Sequence, residues 1–249
     1  MNSLLQKLLP MQPLASVEGA QNDTLMYLIH GLILILFIGW AVYFITVLIK
    51  FRQRPGHKAR EVHAAHKIST SVEWTVAFLE LLLLFAFSIP FWAVHQASVP
   101  QGKNILEIKV VAQQFAWNVH YAGPDGKFGH ASAKFLNDNP LGLDPSDPDG
   151  RDDITTMNQI YLPVNKPVII RLTSKDVIHS FGVPAMRVKQ DIIPGMTTSV
   201  WFTPDKIGQY EIACSQLCGP GHYRMRGIIH VVSQADYDQW IQQNKGIHD

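Results

Sequence analysis

Two long apolar segments dominate the first hundred residues of the chain. The first, from Met26 to Ile49, contains no Asp, Glu, Lys or Arg, and the second, from Trp74 to Val94, contains only Glu80. A helix rises 1.5 Å per residue, so each segment is long enough to cross a hydrocarbon core of roughly 30 Å. A cleaved signal peptide is the alternative for the first segment, but its apolar core would be shorter and closer to a basic start. Both segments are therefore predicted to be transmembrane helices rather than buried helices of a soluble protein.

The loop between these segments is basic. It contains one acid, Glu61, and the basic residues Lys50, Arg52, Arg54, Lys58, Arg60 and Lys67. Basic loops stay on the cytoplasmic side of a membrane, so both chain ends are predicted on the opposite side. The chain then divides into an N-terminal extracytoplasmic segment, a transmembrane hairpin and an extracytoplasmic domain, at residues 1–24, 25–99 and 100–249. An apolar patch at residues 4–9 fits either an export-signal remnant or a small interfacial helix.

After residue 100 the hydrophobic pattern changes to a period of two, which is typical of strands. Apolar residues alternate along residues 106–111, 168–172 and 200–203, and turn sequences rich in Gly, Pro, Asn and Asp separate such segments. Several short strands with this spacing predict a small all-β sandwich or barrel. Ser233 is predicted to cap a closing helix that bears Tyr237, Trp240 and Ile241.

Charge and cysteine content narrow the classes of function. The 21 basic and 20 acidic residues give a net charge of +1, which argues against the broad basic field of a nucleic-acid-binding protein. Two cysteines exclude a scaffold held by several disulfides, and no Cys-x-x-Cys-His run is present for a covalently attached haem. Acidic residues gather at 136–153, which is predicted to be an exposed loop. A solvated insertion and a docking segment for a basic partner are both open interpretations.

One short segment carries most of the candidate chemistry. Cys214, Cys218, His222 and Met225 lie within twelve residues, and the intervening Gly-Pro-Gly favours tight turns over a helix. Thiolate, imidazole and thioether groups together suit copper. A more distant His179 could complete the site from another loop. A disulfide between the cysteines and a Cys2His2 zinc site are the alternatives, although zinc would leave the methionine unused.

These motifs resemble subunit II of the haem–copper oxidases, the cytochrome c oxidase family. The resemblance covers the two-helix hairpin, residues 110–121, the motif around His179 to Gly195, the Cys-x3-Cys-x3-His-x2-Met run that follows Asp-Val-Ile-His-Ser, and the closing helix. It implies an N-terminal two-helix transmembrane hairpin and a C-terminal all-β, cupredoxin-like Greek-key barrel that holds a dinuclear copper centre, CuA. Both cysteines would bridge the two coppers. The remaining ligands would be His179 and Met225 on one copper, and His222 and the backbone carbonyl of Gln216 on the other.

The resemblance also implies a function. The chain would accept electrons from a cytochrome c or another respiratory donor and pass them to a haem in the catalytic subunit I. That subunit would reduce O2 to water with proton translocation, and further membrane subunits would complete the complex. The expected location is a bacterial-type inner membrane with the copper domain on the periplasmic side. Two alternatives are a membrane-anchored copper chaperone, with one span and a thioredoxin-like fold, and a structural relative that has lost its copper.

The sequence departs from the family pattern at several positions. Phe115 occupies the place of a tryptophan proposed to receive the electron, so Phe115 and Trp117 are the candidates for electron input. Gln216 replaces an acidic residue that helps to hold Mg²⁺, and a neutral amide is a weak ligand for a hard cation, so a Mg²⁺ site at the subunit I border is doubtful. Relatives have a glutamate near a proton path where this chain has Ser71. Glu73 and Glu80 are the substitute candidates for that path.

Overall fold

The computed structural model describes residues 12–56, 66–102 and 104–246. It separates into two compact units, of which one comprises residues 28–99 and the other the rest of the chain. The apolar patch at 4–9 lies outside the described residues, as do Lys58, Arg60 and Glu61 of the basic loop.

The helical unit contains most of the first apolar segment and all of the second. Helix α1 spans Gly19–Lys50, helix α2 spans His66–Leu83, and helix α3 spans Ile89–Ala97 after a π-helical turn at Leu84–Ser88. Residues 19–50 and 69–94 are long and apolar enough to cross a membrane. Glu73 accepts a hydrogen bond from Ser69 Oγ at 2.9 Å, and Glu80 is exposed on the same helix. The participation of Glu73 and Glu80 in a proton path stays a prediction.

Pro90 accounts for the π-helical turn. Proline has no N–H, and its ring would collide with the carbonyl group four residues earlier in a regular α-helix. The preceding Ile89 N–H bonds instead to the carbonyl of Leu84, five residues back. The wider turn lets the helix continue past the proline, as π-bulges do elsewhere.

The remaining unit is a β-sandwich of two five-stranded sheets, which confirms the predicted all-β class. The first sheet has the order β3-β2-β1-β5-β8 and the second β4-β10-β9-β6-β7. The strands are β1 Leu106–Gln113, β2 Ala116–Tyr121, β3 Ile154–Met157, β4 Gln159–Pro163, β5 Val168–Ser174, β6 His179–Val183, β7 Val188–Ile192, β8 Thr198–Phe202, β9 Gly208–Cys214 and β10 Arg226–Val232.

The core lies between the sheets and follows the alternating pattern of the sequence. Every second residue of β1 from Ile108 onward is fully buried, as are Trp117, Phe181 and Phe202 from three other strands. Burying side chains of this size contributes roughly 1.5–3 kcal/mol each. The core therefore holds the two sheets rigidly against each other.

Strand register brings four connections to one end of the sandwich. Gln113 pairs with Ala116, Ala112 with Ser174, and His179 with Ile192. The connections at this end are residues 114–115, 175–178, 193–197 and 215–225, and we call them the ligand end.

The opposite end of the sandwich includes residues from the start of the chain. Ala15 N–H donates to the carbonyl of Ala185 at 2.9 Å, and Val17 N–H to that of Thr203 at 3.0 Å. Arg187 forms an ion pair with Asp23, with Nε and Oδ1 2.6 Å apart. The hydrophobic pattern of the sequence does not indicate that residues 15–23 pack on the sandwich.

The acidic segment at 136–153 is not exposed throughout, so that prediction is wrong at Gly142, Leu143 and Asp153, which are buried. Asp153 is fully buried, and its Oδ2 lies 2.6 Å from His120 Nε2 and accepts the Gly129 N–H at 2.8 Å. Other acids of the segment stay near the surface, as Asp149 does in its ion pair with Lys127. The buried pair ties strand β2 to the end of the insertion.

Helix α4, at Gln234–Asn244, closes the chain as predicted. Ser233 is its N-cap and accepts the Asp236 N–H at 3.1 Å. The Trp240 ring stacks on Tyr161 of β4 with centroids 4.5 Å apart. The helix therefore docks on the edge of the second sheet through its aromatic face.

Candidate metal centre

The candidate ligands lie where three neighbouring strands of the second sheet begin or end. Cys214 is the last residue of β9, and Met225 directly precedes β10. Between them, residues 215–221 form a loop and His222 opens a short 3-10 turn. His179, expected on a loop, is instead the first residue of β6 and is fully buried.

Four nitrogen, sulfur and oxygen atoms from these residues surround the pair of thiols. The two Sγ atoms of Cys214 and Cys218 are 3.7 Å apart. His179 Nδ1 lies 3.9 Å from the Cys214 sulfur, and His222 Nδ1 lies 3.7 Å from the Cys218 sulfur. Met225 Sδ is 3.8 Å from the Cys218 sulfur, and the Gln216 carbonyl oxygen is 3.1 Å from the Cys214 sulfur. The structure thus brings together all six residues that the sequence nominated.

These separations fit atoms that share metal ions. Ligands about 2.3 Å from a tetrahedral metal are about 3.8 Å apart, close to the spacing seen here. A disulfide would place the sulfurs about 2.05 Å apart, and both cysteines are free. Met225 is buried with its sulfur beside that of Cys218. A donor set with a thioether suits copper better than zinc.

Burial affects the protonation of the thiols. Burial first, and then the neighbouring Cys214 thiol, raise the pKa of Cys218 to about 11. Metals bind the thiolate form, so a metal ion must displace a proton from this residue.

Asp176 orients the His179 ring, a role that the sequence analysis did not assign. Its Oδ1 lies 2.9 Å from His179 Nε2, which leaves Nδ1 directed toward the thiols. It also accepts the N–H groups of Gln114 and Val177, both at 2.7 Å. Burial opposes ionisation, but the hydrogen bonds from Gln114, His179 and Val177 outweigh it and lower the pKa of Asp176. A carboxylate behind a ligand histidine is a common way to fix the ring.

The ligand loop packs closely against the turn between β1 and β2. Gln114 Nε2 donates to the Cys218 carbonyl at 2.6 Å. A side chain at Gly221 would overlap the Phe115 ring, and Gly219 has a φ of +132° that favours glycine. The two glycines therefore allow the loop to lie directly beneath Phe115.

The two aromatic candidates for electron input differ in exposure. Phe115 is half-buried over the ligand loop, whereas Trp117 is fully buried. The Trp117 ring meets Phe181 edge-on with centroids 5.5 Å apart and lies 6.3 Å from the His179 ring. Only Phe115 of this pair reaches the surface. Glu73 and Glu80 belong to the separate helical unit.

Comparison with known proteins places these features in a family context. The family model "Cytochrome C oxidase subunit II, periplasmic domain" matches residues 106–232. An alternative cytochrome c oxidase subunit 2 from Bradyrhizobium diazoefficiens is 32% identical over 240 residues, covering 94% of this chain and 83% of that protein. The cytochrome c oxidase subunit 2 of Cereibacter sphaeroides is 30% identical over 251 residues, covering 94% and 80%. A crystal structure of the periplasmic domain of subunit II of Bradyrhizobium japonicum cytochrome oxidase is 32% identical with a TM-score of 0.44, covering 59% of this chain and 96% of that one.

Proposed function

The chain belongs to the cytochrome c oxidase subunit II family, and on that premise we propose that it is the electron-input subunit of a membrane-bound terminal oxidase. The observation that carries the proposal is the convergence of two thiols, two imidazoles, a thioether and a carbonyl at the ligand end. Such a donor set suits a copper centre that serves electron transfer.

We assign the ligands of a dinuclear copper centre to these residues. The thiolates of Cys214 and Cys218 would bridge the two ions, with the other ligands divided between them. His179 and Met225 would complete one copper, and His222 and the Gln216 carbonyl the other. When bound, two coppers that share thiolates delocalise one unpaired electron, so gain or loss of an electron changes bond lengths little.

The protein holds these ligands in a fixed geometry. Cys214 and His179 lie on paired strands of the second sheet, where Phe181 is opposite Cys214 in the register. Asp176 fixes the His179 ring and Trp117 fills the space behind it. A rigid site lowers the cost of rearrangement during electron transfer because the ligands need not move. Phe115, at the surface above the loop, is the favoured contact for an electron donor.

The proposal extends to the other parts of the complex. The catalytic subunit I would carry the haems that reduce O2 to water with proton translocation, and the donor would be a cytochrome c or another respiratory protein. We propose a bacterial-type inner membrane, with the basic loop in the cytoplasm and both termini and the sandwich on the periplasmic side. A Mg²⁺ ion at the subunit I border is not expected, because Gln216 offers an exposed neutral amide.

A copper chaperone is less well supported. Such a protein would need one span and a thioredoxin-like fold, whereas the described residues of this chain form two apolar helices of membrane length and a ten-stranded sandwich. It would also have no use for His222 and Met225, whose donor atoms lie beside Cys218.

The assembled oxidase provides the test of this function. We expect Cys218→Ser to lose both copper ions and to abolish O2 consumption driven by the respiratory donor. The haem subunit should still co-purify and its haems should still be reduced by dithionite. Donor-driven O2 consumption at the wild-type rate in this variant would contradict the proposal.

The proton-path assignment has a separate test. Glu80→Ala should slow proton uptake by the assembled oxidase, because an ionisable residue within an apolar helix is costly unless it serves such a path or a helix contact. An unaltered rate of turnover would remove Glu80 from the path.

A further inference from the structure

Residues 12–23, which we call the strap, are built into the sandwich at the end opposite the ligand end. Ala15 and Ser16 are both 1% exposed, and Ala15 belongs to the hydrophobic core. The Ala15 N–H donates to the Ala185 carbonyl at 2.9 Å, and the Ala15 carbonyl accepts the Asp205 N–H at 3.1 Å. The strap therefore lies between the β6–β7 connection and the connection that follows β8.

Side chains of the strap add to this backbone pairing. Glu18 accepts the N–H of Thr203 at 2.8 Å and the hydroxyl of the same residue at 2.9 Å. The Ser16 hydroxyl donates to the Met186 carbonyl at 2.8 Å. These groups are buried or partly buried, and a buried polar group that loses its partner is costly. Specific hydrogen bonds, and not only apolar packing, therefore hold the strap in place.

Arg187 holds both ends of the strap. Its guanidinium donates to the two carboxylate oxygens of Asp23 at 2.6 and 3.2 Å, and to the carbonyl groups of Gln12 and Pro184. The ion pair is mostly buried, since the arginine and aspartate side chains are 13% and 15% exposed. Asn22 Nδ2 also donates to the Arg187 carbonyl at 3.2 Å. Because helix α1 begins at Gly19, these contacts fix its first turns to the sandwich.

A second attachment of this kind matters because the sandwich has one covalent link to the helical unit. That link runs from the end of α3 at Ala97 to the start of β1 at Leu106. A domain on a single link can tilt, and seven-residue strands such as β9 extend about 20 Å toward the ligand end. A tilt of about 5° at the strap would therefore displace the candidate ligands by about 2 Å. Displacements of this size between reacting groups lower reaction rates strongly.

We propose that the strap is a non-covalent attachment that fixes the copper-bearing sandwich to the start of helix α1, and that Arg187 is a positioning residue for electron delivery to the haem subunit. The inference rests on the proposed function. It requires residues 12–23 to lie on the same side of the membrane as the sandwich, as the proposed topology does. The mature protein must then keep every residue from Gln12 onward, so removal of any export signal must end before that residue.

Two measurements test the strap without reference to copper. Mass spectrometry of the purified subunit should find its first residue at or before Gln12, and a mature chain that begins after Gln12 would overturn the proposal. Hydrogen exchange is then followed in the full chain in detergent, with copper removed by a chelator. Arg187→Met should speed exchange of the Ala15 and Val17 N–H groups at least about tenfold, because both donate to the sandwich. Exchange at the wild-type rate would also overturn the proposal.

Electron delivery is measured in the assembled oxidase with a ruthenium photoreductant that injects one electron into copper. We expect Arg187→Met to slow electron transfer from copper to haem at least about threefold. Copper content and the copper spectrum should stay as in wild type, because the strap lies away from the ligands. Arg187→Lys keeps the charge but cannot bind Asp23 and the Gln12 carbonyl together as the guanidinium does, so its rate should fall between the two.

Arg171→Met is the matched control. Arg171 pairs with Glu107 at 3.0 Å, but these side chains are 44% and 42% exposed on the first sheet. The control should leave hydrogen exchange of the strap and electron transfer unchanged. Asp23→Asn keeps one acceptor oxygen and gives the same test with a smaller perturbation if Arg187→Met does not assemble.

The outcomes separate this inference from the proposed function. Faster exchange of the strap in Arg187→Met together with wild-type electron transfer would give Arg187 a structural role alone and overturn the proposal. Two coppers per chain in that result would leave the proposed function intact. A wild-type chain without copper would overturn the proposed function, and the role of Arg187 in electron delivery with it.

Discussion

Asp176 connects three parts of the ligand end, so its replacement tests how the centre is held. Asp176→Asn keeps the size of the side chain but leaves one acceptor oxygen in place of two. Oδ1 serves His179 and Val177, and Oδ2 serves Gln114. Whichever way the amide turns, its NH2 group meets an N–H donor and at least one hydrogen bond is lost.

The size of the effect follows from these contacts. A hydrogen bond to a charged group contributes about 1.5–3 kcal/mol, and 1.4 kcal/mol is a factor of ten in binding. We therefore expect Asp176→Asn to weaken copper binding by about 10- to 100-fold, in line with losses of other carboxylates that orient metal-binding histidines. The two thiols and Met225 stay in place, so copper should still bind.

The assay is a competition titration of copper between the full chain and a chelator of known affinity. Asp238→Asn is the control, because Asp238 accepts a hydrogen bond from a side chain, Gln234 Nε2, on the exposed surface of helix α4. Wild-type affinity is expected for the control. Wild-type affinity in Asp176→Asn would show that His179 does not depend on this carboxylate and would refute the reasoning.

Three further predictions address packing, pH and the thioether. Gly221→Ala should lower the free energy of unfolding by about 1–3 kcal/mol, since the added methyl group overlaps Phe115, and an unchanged melting temperature would contradict that packing. Burial lowers the pKa of His230 below its usual value of 6.5. As the pH drops below 6.5, this histidine therefore binds a proton more readily in the unfolded chain than in the folded one, and the free energy of unfolding should fall. His230→Gln should reduce this dependence of the melting temperature on pH. Parallel plots of melting temperature against pH for the variant and the wild type would refute the role of His230. Met225→Leu should retain copper but shift the reduction potential of the centre from the wild-type value. Met196→Leu, a change at an exposed methionine, should leave that potential unchanged. A wild-type potential in Met225→Leu would remove Met225 from the ligands.

The elements that sequence could predict are those with local signals. The apolar lengths of 26–49 and 74–94 predict two helices, because membrane thickness imposes a minimum length. The ligand loop is equally local, since Cys214 to Met225 occupies twelve residues. The all-β class was predicted from the alternation of apolar and polar residues, which shows which face of each strand is buried but not which strands pair.

Contacts between distant residues were not predictable in this way. His179 was nominated, but its position at the start of β6 depends on pairing with Ile192. Asp153 was expected in solvent because its neighbours are acidic, yet it is buried against His120, 33 residues away in the chain. Ser16 pairs with Pro204, and no periodicity connects such positions.

The π-helical turn and the role of Asp176 illustrate a second limit. Pro90 was visible in the sequence, but how the helix would adjust to it depended on the hydrogen bond of Ile89. Asp176 belongs to the motif that contains His179, so the sequence held a signal for it. Its hydrogen bond from the Gln114 N–H becomes apparent only when the β1–β2 turn lies beside the motif.

The most direct test of the account counts copper in the full chain and records its electron paramagnetic resonance spectrum. The account predicts two copper ions per chain and one unpaired electron shared equally between them. It also predicts that Cys214→Ser abolishes this signal. One copper per chain with a signal from a single ion, or a covalent bond between Cys214 and Cys218 in protein purified with copper present, would contradict the central claim.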